Sequence, residues 1–135
     1  MFRRIDEHIL VAGQLRPEDV AAAAAAGMTM IVNNRPDGEE HDQPTGAEIE
    51  AVARAAGLDY RHIPIVGGFS PLQVEAMAQA IEGADGPLLA FCRSGTRSTF
   101  LWALARVQAG VQPDEIEAKA MRAGYDLSPI RALLR

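Results

Sequence analysis

Cysteine is almost absent from this sequence, because its 135 residues include only Cys92. A disulfide within the chain is therefore excluded, and so is a zinc site that needs a pair of cysteines. The three histidines, His8, His41 and His62, do not have the spacing of metal ligands. We therefore expect neither a metal ion nor another cofactor.

Positive charge is also scarce. The chain has 13 Lys and Arg residues against 18 Asp and Glu residues, and its net charge is -5. Nucleic acids and anionic membranes attract proteins through a basic field, so we expect neither as a partner. No uncharged run is long enough to span a bilayer comfortably, and no apolar stretch typical of a signal peptide follows the first residues. These absences predict a cytoplasmic protein whose reducing surroundings keep Cys92 as a free thiol.

The chain does contain a regular alternation of strand and helix patterns. Strand patterns occupy residues 8–12, 28–33, 59–65 and 87–91. Helix patterns occupy residues 17–26, 45–56, 70–82, 98–109 and 113–123, and a short last helix begins at Ser128. This alternation predicts an α/β fold, with a central, mostly parallel sheet of about four or five strands flanked by helices. The length fits a single domain, residues 1–135.

Two loops are placed to form a ligand site. In open α/β sheets, ligands bind beyond the carboxyl ends of the strands. The loop after Asn33 and the loop after Phe91 both lie at such ends. Residues 87–91 form a continuous apolar run, which is typical of a central strand covered on both faces. Cys92 follows this run directly, so we expect it at the base of the site.

Loop 92–98 has the residues of an anion-binding site built around a nucleophile. Gly95 permits unusual backbone angles, so that backbone N–H groups can converge with the start of the next helix. Arg97 can hold an oxyanion through two N–H donors. The same positive surroundings stabilise a thiolate, which is the reactive form of cysteine. We therefore predict Cys92 as the nucleophile, and an anion-binding loop consisting of Arg93, Ser94, Gly95 and Thr96.

Several separated blocks of the chain resemble one protein family. The blocks occur in order and cover most of the sequence: residues 11–15, 31–39, 60–64 and 92–98. They resemble the phosphatase-like domain of bacterial beta-lactamase hydrolase-like proteins, within the superfamily of dual-specificity and tyrosine phosphatases. The resemblance implies a phosphatase-like α/β fold, with Cys92 as nucleophile and Arg97 as anion binder. It also implies hydrolysis of a phosphate ester through a phosphocysteine, in which Ser98 stabilises the thiolate or helps it to leave.

The sequence departs from the usual phosphatase pattern in three places. Only four residues separate Cys92 from Arg97, where the pattern has five, and Phe91 stands where the pattern has histidine. No carboxylate follows Pro64, where the general acid normally lies. A missing acid costs roughly 10²- to 10⁴-fold in rate. The acidic residues of the loop after Asn33 more commonly form only a solvated turn at the rim of a pocket, but any of them is a candidate for a substitute acid: Asp37, Glu39, Glu40 and Asp42. Arg35 either lines the pocket or forms a surface ion pair.

The loop itself also resembles the active loop of rhodanese-type sulfurtransferases, which is shorter than that of phosphatases. In those enzymes the cysteine carries a persulfide, and no acid is needed to expel an alcohol. Our leading hypothesis is a cysteine-dependent phosphatase, and the alternative is sulfane-sulfur transfer through Cys92. A third class is a weakly active domain that binds an anion or a partner. In the first two cases the substrate is a small anion, either a phosphate ester or a sulfane-sulfur donor.

Overall fold

The computed structural model describes all residues from Met1 to Arg135. Its strands are β1 (Arg3–Arg4), β2 (Ile9–Ala12), β3 (Met30–Asn33), β4 (Asp59–His62) and β5 (Leu88–Phe91). Its α-helices are α1 (Pro17–Ala25), α2 (Gly46–Ala55), α3 (Pro71–Gly83), α4 (Thr96–Gln108) and α5 (Pro113–Arg122). A 3-10 helix at Ser128–Leu134 follows them. None of the helices combines the length and the apolar character needed to cross a membrane.

The five strands form one sheet in the order β1-β2-β5-β3-β4. Strands β2, β5, β3 and β4 are parallel, and β1 is antiparallel to β2. In this register Phe91 lies between Ala12 on one side and Asn33 on the other. The carboxyl ends of three strands therefore meet at one edge of the sheet. The predicted α/β fold with a mostly parallel sheet is confirmed.

Strand β5 is buried on both faces, as its continuous apolar sequence predicts. Leu88 and Ala90 face a core formed with α3, α4 and α5, and the core residues on those helices include Trp102. Leu89 and Phe91 face a second core formed with α1 and α2. Burying a leucine or phenylalanine side chain completely contributes roughly 1.5–3 kcal/mol. This double packing holds the end of β5, and hence Cys92, in a fixed position.

Two elements differ from the sequence-based prediction. Strand β1 was not expected, because its two residues, Arg3 and Arg4, are exposed and carry no apolar pattern. Strand β4 ends at His62 and not at Ile65. Ile63 and Ile65 still donate backbone hydrogen bonds to the end of β3 and the residue after it, but Pro64 between them has no N–H to donate. The regular ladder therefore stops where the chain reaches proline.

The start of α4 also differs from the prediction, and it matters for the site. The helix begins at Thr96 and not at Ser98. Gly95 precedes it in the left-handed conformation, with φ of 91°. Its carbonyl oxygen accepts hydrogen bonds from the backbone N–H of Thr99 at 2.9 Å and from the hydroxyl of Thr99 at 2.8 Å. The first helical turn therefore closes directly after Gly95, which brings the helix N-terminus closer to Cys92.

Candidate active site

Cys92 lies where strand β5 turns into helix α4. It is buried, with 1% of its surface exposed, and its Sγ atom accepts a hydrogen bond from the backbone N–H of Gly95 at 3.1 Å. The N-terminal end of α4 carries further N–H groups without partners inside the helix, and it has a partial positive charge. N–H groups at a helix N-terminus are the donors that commonly bind anions in proteins, and here they lie beside the sulfur.

The outer side of the loop is held by contacts with distant parts of the chain. The hydroxyl of Tyr125 donates a hydrogen bond to the carbonyl oxygen of Ser94 at 3.1 Å. A Cβ atom at Gly95 would collide with that same hydroxyl. Gly95 is therefore required twice, for its left-handed backbone and for the close approach of Tyr125. The exposed hydroxyls of Ser94 and Thr96 are hydrogen-bonded to each other at 3.0 Å.

Arg97 holds a carboxylate through two donors. Its Nη1 and Nη2 atoms bond to the two oxygens of Glu39 at 2.7 and 2.9 Å, and Nη1 also donates to the carbonyl oxygen of Ile65 at 3.0 Å. The hydrogen bond to Glu39 is the main cause that raises the pKa of Arg97, and the charge of the Cys92 thiolate adds to it. Arg97 thus uses two donors on a carboxylate of the chain itself, and its role as the binder of a substrate anion stays a prediction.

Glu39 connects Arg97 to Arg35. The side chain of Arg35 is 3% exposed; its Nε donates to Glu39 at 2.9 Å, its Nη2 to Glu40 at 2.6 Å and its Nη1 to Gln14 at 3.0 Å. The hydrogen bond from Arg97 and, after it, that from Arg35 lower the pKa of Glu39 to about 2. Glu39 is therefore ionised at neutral pH and acts as the shared anion of two arginines.

The other predicted rim residues have different positions. Glu40 also lies 3.3 Å from Nε of Arg93, so it joins the group around the loop. Asp37 is turned away and accepts a hydrogen bond from the backbone N–H of Gly46 at 2.7 Å, at the start of α2. Asp42 is exposed. The fold therefore brings Arg35, Glu39 and Glu40 to the loop, and it holds Asp37 against helix α2.

Ser98 is completely buried, and its hydroxyl has no hydrogen-bond partner. A buried polar group without a partner costs about 1–3 kcal/mol, so its presence beside an active loop calls for a reason other than stability. Sequence reasoning missed three residues that shape the site, namely Gln14, Thr99 and Tyr125. None of them stands in a local pattern that indicates its contact, because each acts through the fold.

Comparisons with known proteins show which family this chain resembles along most of its length. A family model described as "Beta-lactamase hydrolase-like protein, phosphatase-like domain" matches residues 1–111. A beta-lactamase hydrolase-like protein of Xylella fastidiosa (strain Temecula1) is 38% identical over 125 residues, which cover 91% of this chain and 29% of that protein. The corresponding protein of Agrobacterium fabrum is 37% identical over 126 residues, covering 92% of this chain and 29% of that protein. The chain thus spans less than a third of the length of these relatives.

Solved structures show the same fold. A candidate phosphatase from Neisseria meningitidis has a TM-score of 0.85 and 36% identity, and the match covers 98% of this chain and 94% of that chain. A candidate phosphatase from Shewanella putrefaciens has a TM-score of 0.77 at 20% identity, covering 98% and 87% of the two chains. The active form of Tk-PTP has a TM-score of 0.76 at 17% identity, covering 98% and 92%. The last two likenesses concern the fold alone.

Proposed function

The chain belongs to the family of phosphatase-like domains of beta-lactamase hydrolase-like proteins, and from this premise we propose that it hydrolyses phosphate monoesters through a phosphocysteine formed on Cys92. The observation that carries the proposal is the hydrogen bond from the Gly95 amide to the Cys92 sulfur at 3.1 Å. An N–H donor on this sulfur, at the end of a strand that is buried on both faces, supports a role for Cys92 as the nucleophile. We further propose that residues 1–135 act as one domain, since both cores share a single sheet.

In the first step, the Cys92 thiolate attacks phosphorus. The S–P bond forms while the P–O bond to the leaving group breaks, and the bonding electrons depart with that oxygen. The three remaining oxygens of the phosphoryl group are held by the loop amides and by the two-point donor of Arg97. The carboxylate of Glu39, which occupies Arg97 in this structure, has to yield at least one of these donors to the substrate.

In the second step, water attacks phosphorus and the P–S bond breaks, which releases phosphate and restores the thiolate. A thiolate leaves more easily when a donor approaches it. The hydroxyl of Ser98 is buried next to the loop and lacks a partner, so it is available to donate a hydrogen bond to the sulfur as negative charge returns there. This is the role that we propose for Ser98.

In the first step the oxygen of the leaving group also needs a proton donor. Glu39 has a pKa of about 2, so it holds no proton to donate at neutral pH. The other carboxylates of the loop after β3 are Asp37, Glu40 and Asp42. Because Glu39 supplies no proton, we propose a preference for esters with good leaving groups, such as aryl phosphates, which depend least on protonation.

A second candidate function, sulfane-sulfur transfer, is favoured by that ionised Glu39. The Cys92 thiolate would attack the outer sulfur of thiosulfate, forming a persulfide while the original S–S bond breaks and sulfite departs with its electrons. A thiolate acceptor would then take the outer sulfur and restore Cys92 as a thiolate. Sulfite is already a stable anion, so neither step needs an acid at the position that Glu39 occupies.

One experiment tests both candidates. Purified protein and the Cys92→Ser variant are assayed in parallel with an aryl phosphate and with thiosulfate plus a thiol acceptor. We expect release of phosphate by the wild type and none by the variant. Fast sulfur transfer without phosphate release would replace the leading proposal by the second one. Absence of both activities, together with anion binding, would identify a binding domain.

A further inference from the structure

A cavity of about 570 Å³ opens beside the active loop. Ser94 and Thr96 of the loop form part of its wall, and the rest includes Arg3 of β1, Phe100 of α4, and Tyr125 and Asp126 after α5. Neither Arg97 nor Glu39 belongs to this wall. The cavity therefore adjoins the anion-binding loop, shares Ser94 and Thr96 with it, and takes the rest of its wall from other elements.

Tyr125 joins the loop to the cation of this cavity. Its hydroxyl reaches the carbonyl oxygen of Ser94 at 3.1 Å, and the guanidinium of Arg3 lies over its ring, 5.6 Å from the centroid. Arg3 also donates to the carbonyl oxygen of Ala123 at 3.0 Å. A Cβ atom at Gly124, where φ is +94°, would collide with that guanidinium. In this structure the ring of Tyr125 therefore lies between the guanidinium of Arg3 and the loop.

Arg3 differs from the arginines around the loop in its partners. Arg35, Arg93 and Arg97 each lie against a carboxylate, whereas no carboxylate lies within 4.0 Å of Arg3. Asp126, the carboxylate of the same cavity, is engaged by the backbone N–H of Ser128 at 2.9 Å. The cavity therefore offers a guanidinium that forms no ion pair, and the carboxylate of Asp126 lies elsewhere in the same wall.

The electrostatic field of the cavity also reaches the nucleophile. Burial is the main cause that raises the pKa of the Tyr125 hydroxyl, while the charge of Arg3 lowers this pKa and the Cys92 thiolate raises it. The charges of Arg3 and of Cys92 thus both act on the Tyr125 hydroxyl. A ligand in the cavity therefore lies within electrostatic range of Cys92. Tyr125 and Phe100 also line the cavity, so its wall includes aromatic surface that can contact a flat apolar group.

From this geometry we infer that the cavity is a second subsite, which binds an additional oxyanion of the substrate through Arg3. The substrate class is then an ester whose reacting phosphate is separated from a second negative group by about one aromatic ring. The inference rests on the proposed function, because it places the reacting phosphate in loop 92–98. It goes beyond that function by naming a feature that distinguishes the substrate from simple phosphate esters.

The test compares two substrates that differ in one charge, 4-(carboxymethyl)phenyl phosphate and its neutral amide, 4-(carbamoylmethyl)phenyl phosphate. Binding is measured by calorimetry in the Cys92→Ser background, and turnover is measured with Cys92 present. Arg3→Gln removes the cation of the cavity. Arg4→Gln is the matched control, because Arg4 lies on the same strand, is also exposed and does not line the cavity. Arg3→Lys keeps the charge and should keep most of the preference.

We expect the charged compound to bind about fivefold more tightly than the amide, both in the background protein and with Arg4→Gln, and this ratio to fall to about one with Arg3→Gln. An equal ratio in the Arg3→Gln and Arg4→Gln proteins would overturn the subsite. Failure of both compounds to bind would overturn it as well. Arg3-dependent binding without turnover of either compound would instead refute the phosphatase proposal and leave the subsite standing.

Discussion

The ion pair between Glu39 and Arg97 makes a quantitative prediction about stability and pH. The pKa of Glu39 is about 2 against an ordinary value of 4.5. A difference of about 2.5 units corresponds to about 3.4 kcal/mol, at about 1.36 kcal/mol per unit. The Glu39 side chain is 30% exposed, so solvent screening reduces this upper bound, and we expect a contribution of about 1 kcal/mol. Glu39→Gln removes the charge and should lower the free energy of unfolding by that amount at pH 7.

The pH dependence follows from the direction of the shift. A carboxyl whose folded pKa is depressed stabilises the protein fully above its unfolded pKa, here near 4.5, and the contribution is lost as pH falls through the folded value near 2. Urea unfolding of the wild type and Glu39→Gln should therefore show a gap that is constant from pH 7 to about 5 and shrinks between about 5 and 2. Glu82→Gln is the matched control, because Glu82 is exposed on α3. A gap that did not change with pH, or no gap at pH 7, would refute the assignment of Glu39 as the shared anion.

Three further predictions concern activity. Cys92→Ser should abolish turnover while circular dichroism and Tm stay close to those of the wild type, and full activity would rule out Cys92 as nucleophile. Arg97→Ala should reduce kcat/KM for an aryl phosphate by about 10²- to 10³-fold. Arg97→Lys should recover only part of this kcat/KM, because lysine lacks the planar two-point donor. Complete recovery would mean that Arg97 acts as a point charge. The last prediction compares variants in which one rim carboxylate is neutralised, at Asp37, Glu39, Glu40 or Asp42. If one of these carboxylates supplies the proton, its variant should lose more rate with alkyl than with aryl phosphates. Glu39→Gln should not show this dependence on the leaving group.

Much of the fold could be predicted because its patterns are local. The apolar run of β5 predicts a strand covered on both faces, and the structure buries Leu88 to Phe91 completely. The capping pattern at Ser70 predicts the start of α3, where the Ser70 and Gln73 side chains each accept a hydrogen bond from the backbone of the other residue. Strand β1 could not be predicted in this way. It exists because Arg3 and Arg4 pair with β2, and that partnership has no signature within two exposed residues.

The boundary of α4 shows where local reasoning was incomplete. Gly95 indicated a turn, but the helix start was predicted at Ser98 and lies at Thr96. The hydroxyl of Thr99 stabilises the earlier start by donating to the carbonyl oxygen of Gly95 at 2.8 Å. Threonine is not a typical residue of the first helical turn, so the hydrogen bond between Thr99 and Gly95 could not be predicted from the sequence.

The surroundings of Cys92 could be predicted from the sequence alone. A buried strand, a left-handed glycine and a helix start are contiguous in residues 88–98, so the amide that contacts the sulfur comes from the same short segment. The residues that face this segment come from distant parts of the chain, and their positions follow from packing. The parallel register of β3 beside β5 brings Glu39 to Arg97 across 58 residues, and Tyr125 reaches Ser94 across 31 residues. Nearby cations decide whether a carboxyl group is ionised or keeps a proton that it can donate. The packing of separate elements brings such cations next to Glu39.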